Sequence, residues 1–253
     1  KNDRFWENKA IYFNYIKTRK EPKMIVNRRE LKYVISEFDY YKLENLLKKI
    51  LIPDKNNGSY GYSIRSLYFD SIDNCDYYAK LGGEEVRKKI RLRIYRTDCQ
   101  LVKLEIKRKF NINQKKETLS ISREDAIALI NKEYDVLLKY NSPIAEAAYN
   151  IMTIGQYQPV VLVEYNRRAY IHEENSIRVT LDSNIRASET DFDLFSEEVF
   201  LTPVFTHYDG LLEVKYDGDF FCWISQIVNG REAVNQSMSK YCASRRFFEN
   251  YLA

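Results

Sequence analysis

Glycine and proline are scarce here, 8 and 5 in 253 residues. That shortage excludes long flexible linkers and favours one continuous domain. There is also no GxxxxGK[ST] loop and no GxGxxG turn after a strand. Any nucleotide is therefore held without a glycine-rich cradle. Cysteine is thin and scattered, at Cys75, Cys99, Cys222 and Cys242, with no CxxC pair. The two histidines, His172 and His207, are too far apart to complete a zinc site. Such cysteine usage points to a reducing compartment. Neither a Ser/His/Asp nor a Cys/His nucleophile constellation is present. No apolar run approaches the roughly 20 residues that cross a bilayer. The opening segment lacks the uninterrupted apolar core of a signal peptide. Charge of one sign is missing too: 40 Lys and Arg against 36 Asp and Glu leave +4. Binding by bulk positive charge is thereby excluded, and basic residues can act only where they cluster.

What is present is alternation. Apolar and polar residues alternate over 25–35, 60–70, 86–97, 101–110, 115–121, 159–171, 177–182 and 210–216. Each stretch reads as a strand by its period of two. The short junction Thr97-Asp98-Cys99-Gln100 makes antiparallel neighbours of two of them. Ser36 with Asp39 predicts a helix N-terminus, followed by Leu43, Leu46, Leu47 and Ile50 on one face. Ser122 with Asp125 predicts another, and helical spacing recurs near 144–154, 219–228 and 237–251. Residues 185–209 carry no clear period and read as loops or short strands. Residues 1–23 read as an appendage and 24–253 as a single domain. The sequons Asn57-Gly58-Ser59 and Asn235-Gln236-Ser237 are of a kind that arises often by chance. The fold class expected is α+β, with about eight antiparallel strands and attached helices.

The stretch VRKKIRLRIYR (86–96) places six basic residues among eleven. Successive strand side chains point to opposite sides, so Lys89, Arg91 and Arg93 share one face and Ile90, Leu92 and Ile94 the other. The same sorting groups Lys103, Glu105 and Lys107; Glu30 and Lys32; Arg178, Thr180 and Asp182; and Glu213 with Lys215. Five strands thus repeat one signature, cations with a few carboxylates on a single face. A sheet with one wet face would explain any one of them. If the faces instead converge inside a barrel, the enclosed like charges need a counter-ion. A polyanion such as a triphosphate chain suits them, since the arginine fork matches phosphate oxygens. A metal on a carboxylate such as Glu213 would then bridge those oxygens.

The motifs RRELKY (28–33), RSLYFD (65–70), KIRLRIYR (89–96), LEIKRK (104–109), YNRRAY (165–170), RVTLD (178–182), LLEVKY (211–216) and SKY (239–241) occur in this order. Together they resemble the polyphosphate polymerase domain, also called the vacuolar transporter chaperone (VTC) domain. That domain is a branch of the triphosphate tunnel metalloenzyme, or CYTH-like, superfamily. The resemblance implies a closed antiparallel β-barrel forming a charged tunnel with peripheral helices. It also implies a metal-dependent transferase that moves the γ-phosphate of ATP onto a growing polyphosphate chain and releases ADP.

By motif position, Lys32, Arg91, Arg93, Lys107, Arg167, Arg178 and Lys240 are the implied phosphate contacts. Lys116 and Lys215 join them as further candidates. Glu213 is the implied metal carboxylate for Mn²⁺ or Mg²⁺, and Asp182, Glu30 and Glu105 are either additional ligands or ion-pair partners. Arg91, Arg93, Lys107 and Glu213 are the residues expected to carry the transfer. RRELKY holds one glutamate where the superfamily often has two or three, which points toward the polymerase branch. The expected partners are ATP and inorganic polyphosphate, with no nucleic acid and with membrane-associated proteins as candidates. The expected location is the cytoplasm, its membrane face included. Three alternatives stay open: a tunnel triphosphatase, a non-catalytic polyphosphate or nucleotide module, and RNA binding through basic strands and the 21 tyrosines.

Overall fold

The computed structural model describes residues 28–111, 113–172, 177–205, 210–217, 234–235 and 239–245. The appendage 1–23, the helical stretch 219–228, most of 237–251 and His207 lie outside the described residues. In chain order the strands are β1 (Arg28–Ile35), β2 (Ile52–Pro53), β3 (Tyr62–Asp70), β4 (Val86–Ile94), β5 (Leu101–Phe110) and β6 (Asn113–Ser122). They continue with β7 (Gln158–His172), β8 (Ile177–Ser188), β9 (Thr202–Pro203), β10 (Gly210–Asp217) and β11 (Val234–Asn235). The helices are α1 (Glu37–Ile50), α2 (Cys75–Leu81), α3 (Arg123–Ile130), α4 (Pro143–Ile154) and α5 (Lys240–Ala243), with a 3-10 turn at Tyr134–Lys139. Each of the eight stretches of alternation holds a strand, with 25–27 outside the described residues and 60–61 and 95–97 outside the strands. The unreadable segment begins as the last part of β8 and later contributes β9.

Helix starts follow the side-chain chemistry of their caps. Ser36 Oγ accepts the Asp39 N–H at 3.2 Å, and Ser122 Oγ accepts the Asp125 N–H at 3.1 Å. Each bond satisfies an amide that has no partner in the first helical turn. Asn57 acts as an internal strut: its amide exchanges two 2.8 Å hydrogen bonds with the backbone of Ala169. The tripeptide that reads as a sequon thus spends its asparagine inside the fold.

One antiparallel sheet runs in the order β11-β1-β10-β8-β7-β3-β4-β5-β6, with β2 beside β7 and β9 beside β8. Among the described residues no pairing joins β6 to β1 or β11, so hydrogen bonds do not close the expected barrel. The physical reason lies in β6: residues 113–116 are all exposed, and the strand carries Lys115, Lys116 and Glu117. Charged, solvated positions of this kind keep an edge from pairing. The sheet nevertheless curls. Register shifts at Tyr68/Phe69 and at Glu164/Asn166 add local bend and twist.

Parity decides which side is inside. Ile90, Leu92, Ile94, Val102, Leu104 and Ile106 pack outward against Ala126 and Leu129 of α3 and Ala145, Ala148 and Met152 of α4. On the opposite flank, Tyr40, Leu43 and Leu47 of α1 cover Val179, Leu181, Leu212 and Val214. The helices therefore shield the apolar face, and the charged face turns to the hollow of the curl. No helix among the described residues is long and apolar enough to cross a membrane.

Candidate functional site

The hollow is a cavity of about 650 Å³ lined by fifteen lysines and arginines and only two carboxylates. β4 contributes Arg87, Lys89, Arg91 and Arg93 at alternate positions, so one strand lays a row of cations along the wall. Lys107 of β5, Lys116 of β6, Arg167 of β7 and Arg178 of β8 continue the lining. Glu30 and Lys32 of β1 and Glu213 and Lys215 of β10 complete it, with Lys240 at the start of α5. Strands near both ends of the hydrogen-bonded path, β1 beside terminal β11 and β6 at the other edge, thus face one space. Gly61, at φ +84°, lets the chain enter β3 against β7; a Cβ there would lie 2.5 Å from the Arg167 carbonyl oxygen.

Two of the carboxylates sorted onto the charged faces do not line the cavity but lie beneath it. Glu105 accepts Arg91 Nε at 2.7 Å and Arg91 Nη2 at 2.5 Å, with Arg93 Nη1 3.9 Å away and Lys116 on its second oxygen. Asp182 takes Arg167 in a two-bond fork and Lys240 Nζ at 2.6 Å. Both are fully buried. Their charge aims these five cations and offsets part of the cost of enclosing them.

Glu30 and Glu213 are the carboxylates open to the cavity, and both lie beside Lys215. Lys32 lies 3.1 Å and Lys215 3.7 Å from Glu30 Oε1, and Lys215 also pairs with Glu213. Burial works to raise the Glu213 carboxyl. The neighbouring Glu30 side chain and Lys215, Lys32 and Lys240 outweigh burial and hold it well below the usual range. Among the described residues no three His, Cys, Asp or Glu side chains come together. A cage built from protein ligands alone is therefore not formed. A hard cation that takes one or two carboxylates and completes its shell with water and phosphate oxygens fits the Glu30–Glu213 pair.

The cations outnumber their partners. Lys107 makes no ion pair among the described residues. Arg91 first, then burial, Lys215 and Arg93, hold its ammonium well below the ordinary lysine value. Burial likewise lowers Lys89, whose Nζ donates to Ser239 Oγ at 2.5 Å.

Several lining residues were not singled out from the sequence. Arg87 and Lys88, not among the candidate site residues, line the cavity, and Val86 before them is exposed. Lys80 and Lys109 lie at the same end, and Lys109 is legible by parity two positions beyond Lys107. Tyr68 is buried with its hydroxyl accepting Arg91 Nη1 at 2.8 Å. Burial works to raise its phenol, but Arg91, Arg93 and Lys89 bring it below the usual value. Lys103 shares the charged parity yet is exposed, with Nζ 5.0 Å from the Tyr95 ring centre.

The family model described as VTC domain matches residues 27–248. Among solved structures, a "putative adenylate cyclase" from Bacillus halodurans is 13% identical with a TM-score of 0.51, covering 85% of this chain and 94% of its own. A protein described in the same words from Vibrio parahaemolyticus is 13% identical with a TM-score of 0.44, covering 83% and 94%. The Mimivirus capping enzyme triphosphatase is 10% identical with a TM-score of 0.41, covering 90% and 96%. No curated protein sequence matches the chain. At such identities the Bacillus structure speaks for the fold alone.

Proposed function

The chain belongs to the VTC domain family, and on that premise we propose that it transfers the γ-phosphate of ATP to a growing polyphosphate chain within the basic cavity. The curled sheet serves as the tunnel although among the described residues no hydrogen bonds join its two edges. The observation that carries this reading is the excess of cations, with Lys107 on the cavity wall and in no ion pair among the described residues. Gathering this many cations costs free energy that a polyanion inside would offset.

The acceptor is the terminal phosphate of the polymer, already an anion, so no general base is required of the protein. A bond forms between an acceptor oxygen and the γ-phosphorus, the bond from that phosphorus to the bridging oxygen breaks, and ADP leaves. Arg91, Arg93 and Lys107 hold the transferring group from one wall, and Arg167 and Lys240 from the other. Lys32, Arg178, Lys215 and Lys116 grip the flanking phosphates. Positioned charge of this kind supplies most of the catalysis in phosphoryl transfer. Glu213, with Glu30, would hold Mn²⁺ or Mg²⁺, which neutralises charge on the phosphate oxygens. Glu105 and Asp182 orient the cations rather than bind metal.

The test is incubation of the pure protein with ATP and Mn²⁺. The expected products are long polyphosphate and ADP, both abolished by chelation of the metal. Free phosphate with no polymer would make the protein a triphosphatase, and binding with no turnover under any metal a binding module.

A further inference from the structure

The cavity is not uniform along its length, and strand register orders its lining. On β4 the inward residues run Arg87, Lys89, Arg91, Arg93, and then Tyr95 just past the strand. At about 3.3 Å per residue this row spans about 26 Å. At one extreme, Arg87 stands opposite Lys109 and Lys88 opposite Arg108, so this end is walled by cations. At the other extreme Tyr62, Ile64 and Tyr95 join the lining, with Arg178 at the Tyr62 hydroxyl and Arg167 opposite Tyr62 in register.

The two rings stand 6.1 Å apart, tilted by 50°. They are splayed rather than stacked, and Tyr95 is 41% exposed. Tyr62 is held in place, its hydroxyl 3.4 Å from Arg178 Nη2, which Asp54 fixes at 3.1 Å. Inorganic phosphate has no use for an aromatic face, whereas every nucleobase has a face that stacks on one. We propose that the Tyr62–Tyr95 end receives the base of the donor nucleotide. Its phosphates then extend along Arg93 and Arg91 toward the cationic end. This assignment rests on the phosphotransfer reading above.

The test compares two probes, ATP and inorganic tripolyphosphate, by calorimetric titration without Mn²⁺. Tyr95 is partly exposed at a strand end, so Tyr95→Ala removes a ring face without emptying the core. The expected result is weaker ATP binding, on the order of 5- to 100-fold for one lost stacking partner. Tripolyphosphate binding is expected to be unchanged, and Tyr95→Phe to bind ATP as the unsubstituted protein does. Equal losses for both probes, or no loss for either, overturn the base site while leaving the phosphotransfer reading intact. If the unsubstituted protein binds neither probe, the phosphotransfer reading falls, and the base site with it.

Discussion

Arg167 clasps Asp182 through two parallel hydrogen bonds, Nε to Oδ1 at 2.6 Å and Nη2 to Oδ2 at 2.7 Å. Lys240 Nζ reaches the same Oδ2 at 2.6 Å. One buried carboxylate thus aims two cations supplied by β7 and α5. Burial pushes the Asp182 carboxyl up, but Arg167 and Lys240 overcome it and hold the group below its ordinary value. Asp182→Asn keeps the shape and strands both cations. Removing one partner of a buried pair costs about 3–5 kcal/mol, and the variant's melting temperature is expected to drop accordingly. Tripolyphosphate is expected to raise that temperature more in the variant than in the unsubstituted protein, because its oxygens replace the lost counter-ion. Unchanged melting would mean that Asp182 is not the counter-ion of this wall.

Arg91 spends its fork on Glu105 and Nη1 on the Tyr68 hydroxyl. Its plane is fixed before any ligand arrives. Lysine keeps the charge but not the fork. Arg91→Lys is expected to lower polyphosphate formation at saturating ATP by about 10- to 100-fold, the value of one or two charge-assisted hydrogen bonds. Arg91→Ala is expected to lower it further. Initial rates for both variants check the order, and equal rates for Arg91→Lys and the unsubstituted protein would contradict it.

The alternation at Arg91 and Ile90 made the inner wall legible, because period two is a local property of the strand. Local rules also located the caps at Ser36 and Ser122. What stayed hidden depends on distant partners. Arg65 shares parity with Leu67 and Phe69, yet it is buried because Glu164, 99 residues away, accepts its Nε at 2.8 Å. Its Nη1 reaches the backbone oxygen of Leu194 at 3.3 Å, inside the stretch with no readable period. Asp54 meets Arg178 across 124 residues. Whether β6 pairs with β1 is likewise decided by the global curl and by edge charge. The position of Tyr68 beside Arg91 follows only from the pairing of β3 with β4.

Glu105 makes the acid range informative. Burial would raise its carboxyl, but Arg91, Arg93 and Lys116 hold it down to about 2. An unfolded glutamate titrates near ~4.3, so the folded value is the depressed one. The stability it contributes is full above that unfolded value and is lost as pH falls through about 2. The shift corresponds to about 3 kcal/mol. Urea midpoints of the unsubstituted protein should therefore fall steeply in acid. Those of Glu105→Gln should begin lower and fall less, so that the two curves converge. A constant gap between them would show that Glu105 titrates normally.

Lys107 carries a dependence of the same sign in the alkaline range. Its folded value lies well below the usual one, chiefly through Arg91 and then burial. Unfolded lysine titrates near ~10.4. The folded chain therefore binds fewer protons at this site, and its stability rises as pH climbs through the folded value toward the unfolded one. A polyanion beside the ammonium reverses the shift, so tripolyphosphate binding should take up a proton at Lys107. Calorimetric titrations in two buffers of different ionisation enthalpy, at neutral to mildly alkaline pH, measure that uptake. Lys107→Met should lose it and bind tripolyphosphate at least about tenfold more weakly, at the ~1.4 kcal/mol per tenfold of a lost charge contact. Equal proton uptake by variant and unsubstituted protein would remove Lys107 from the phosphate wall.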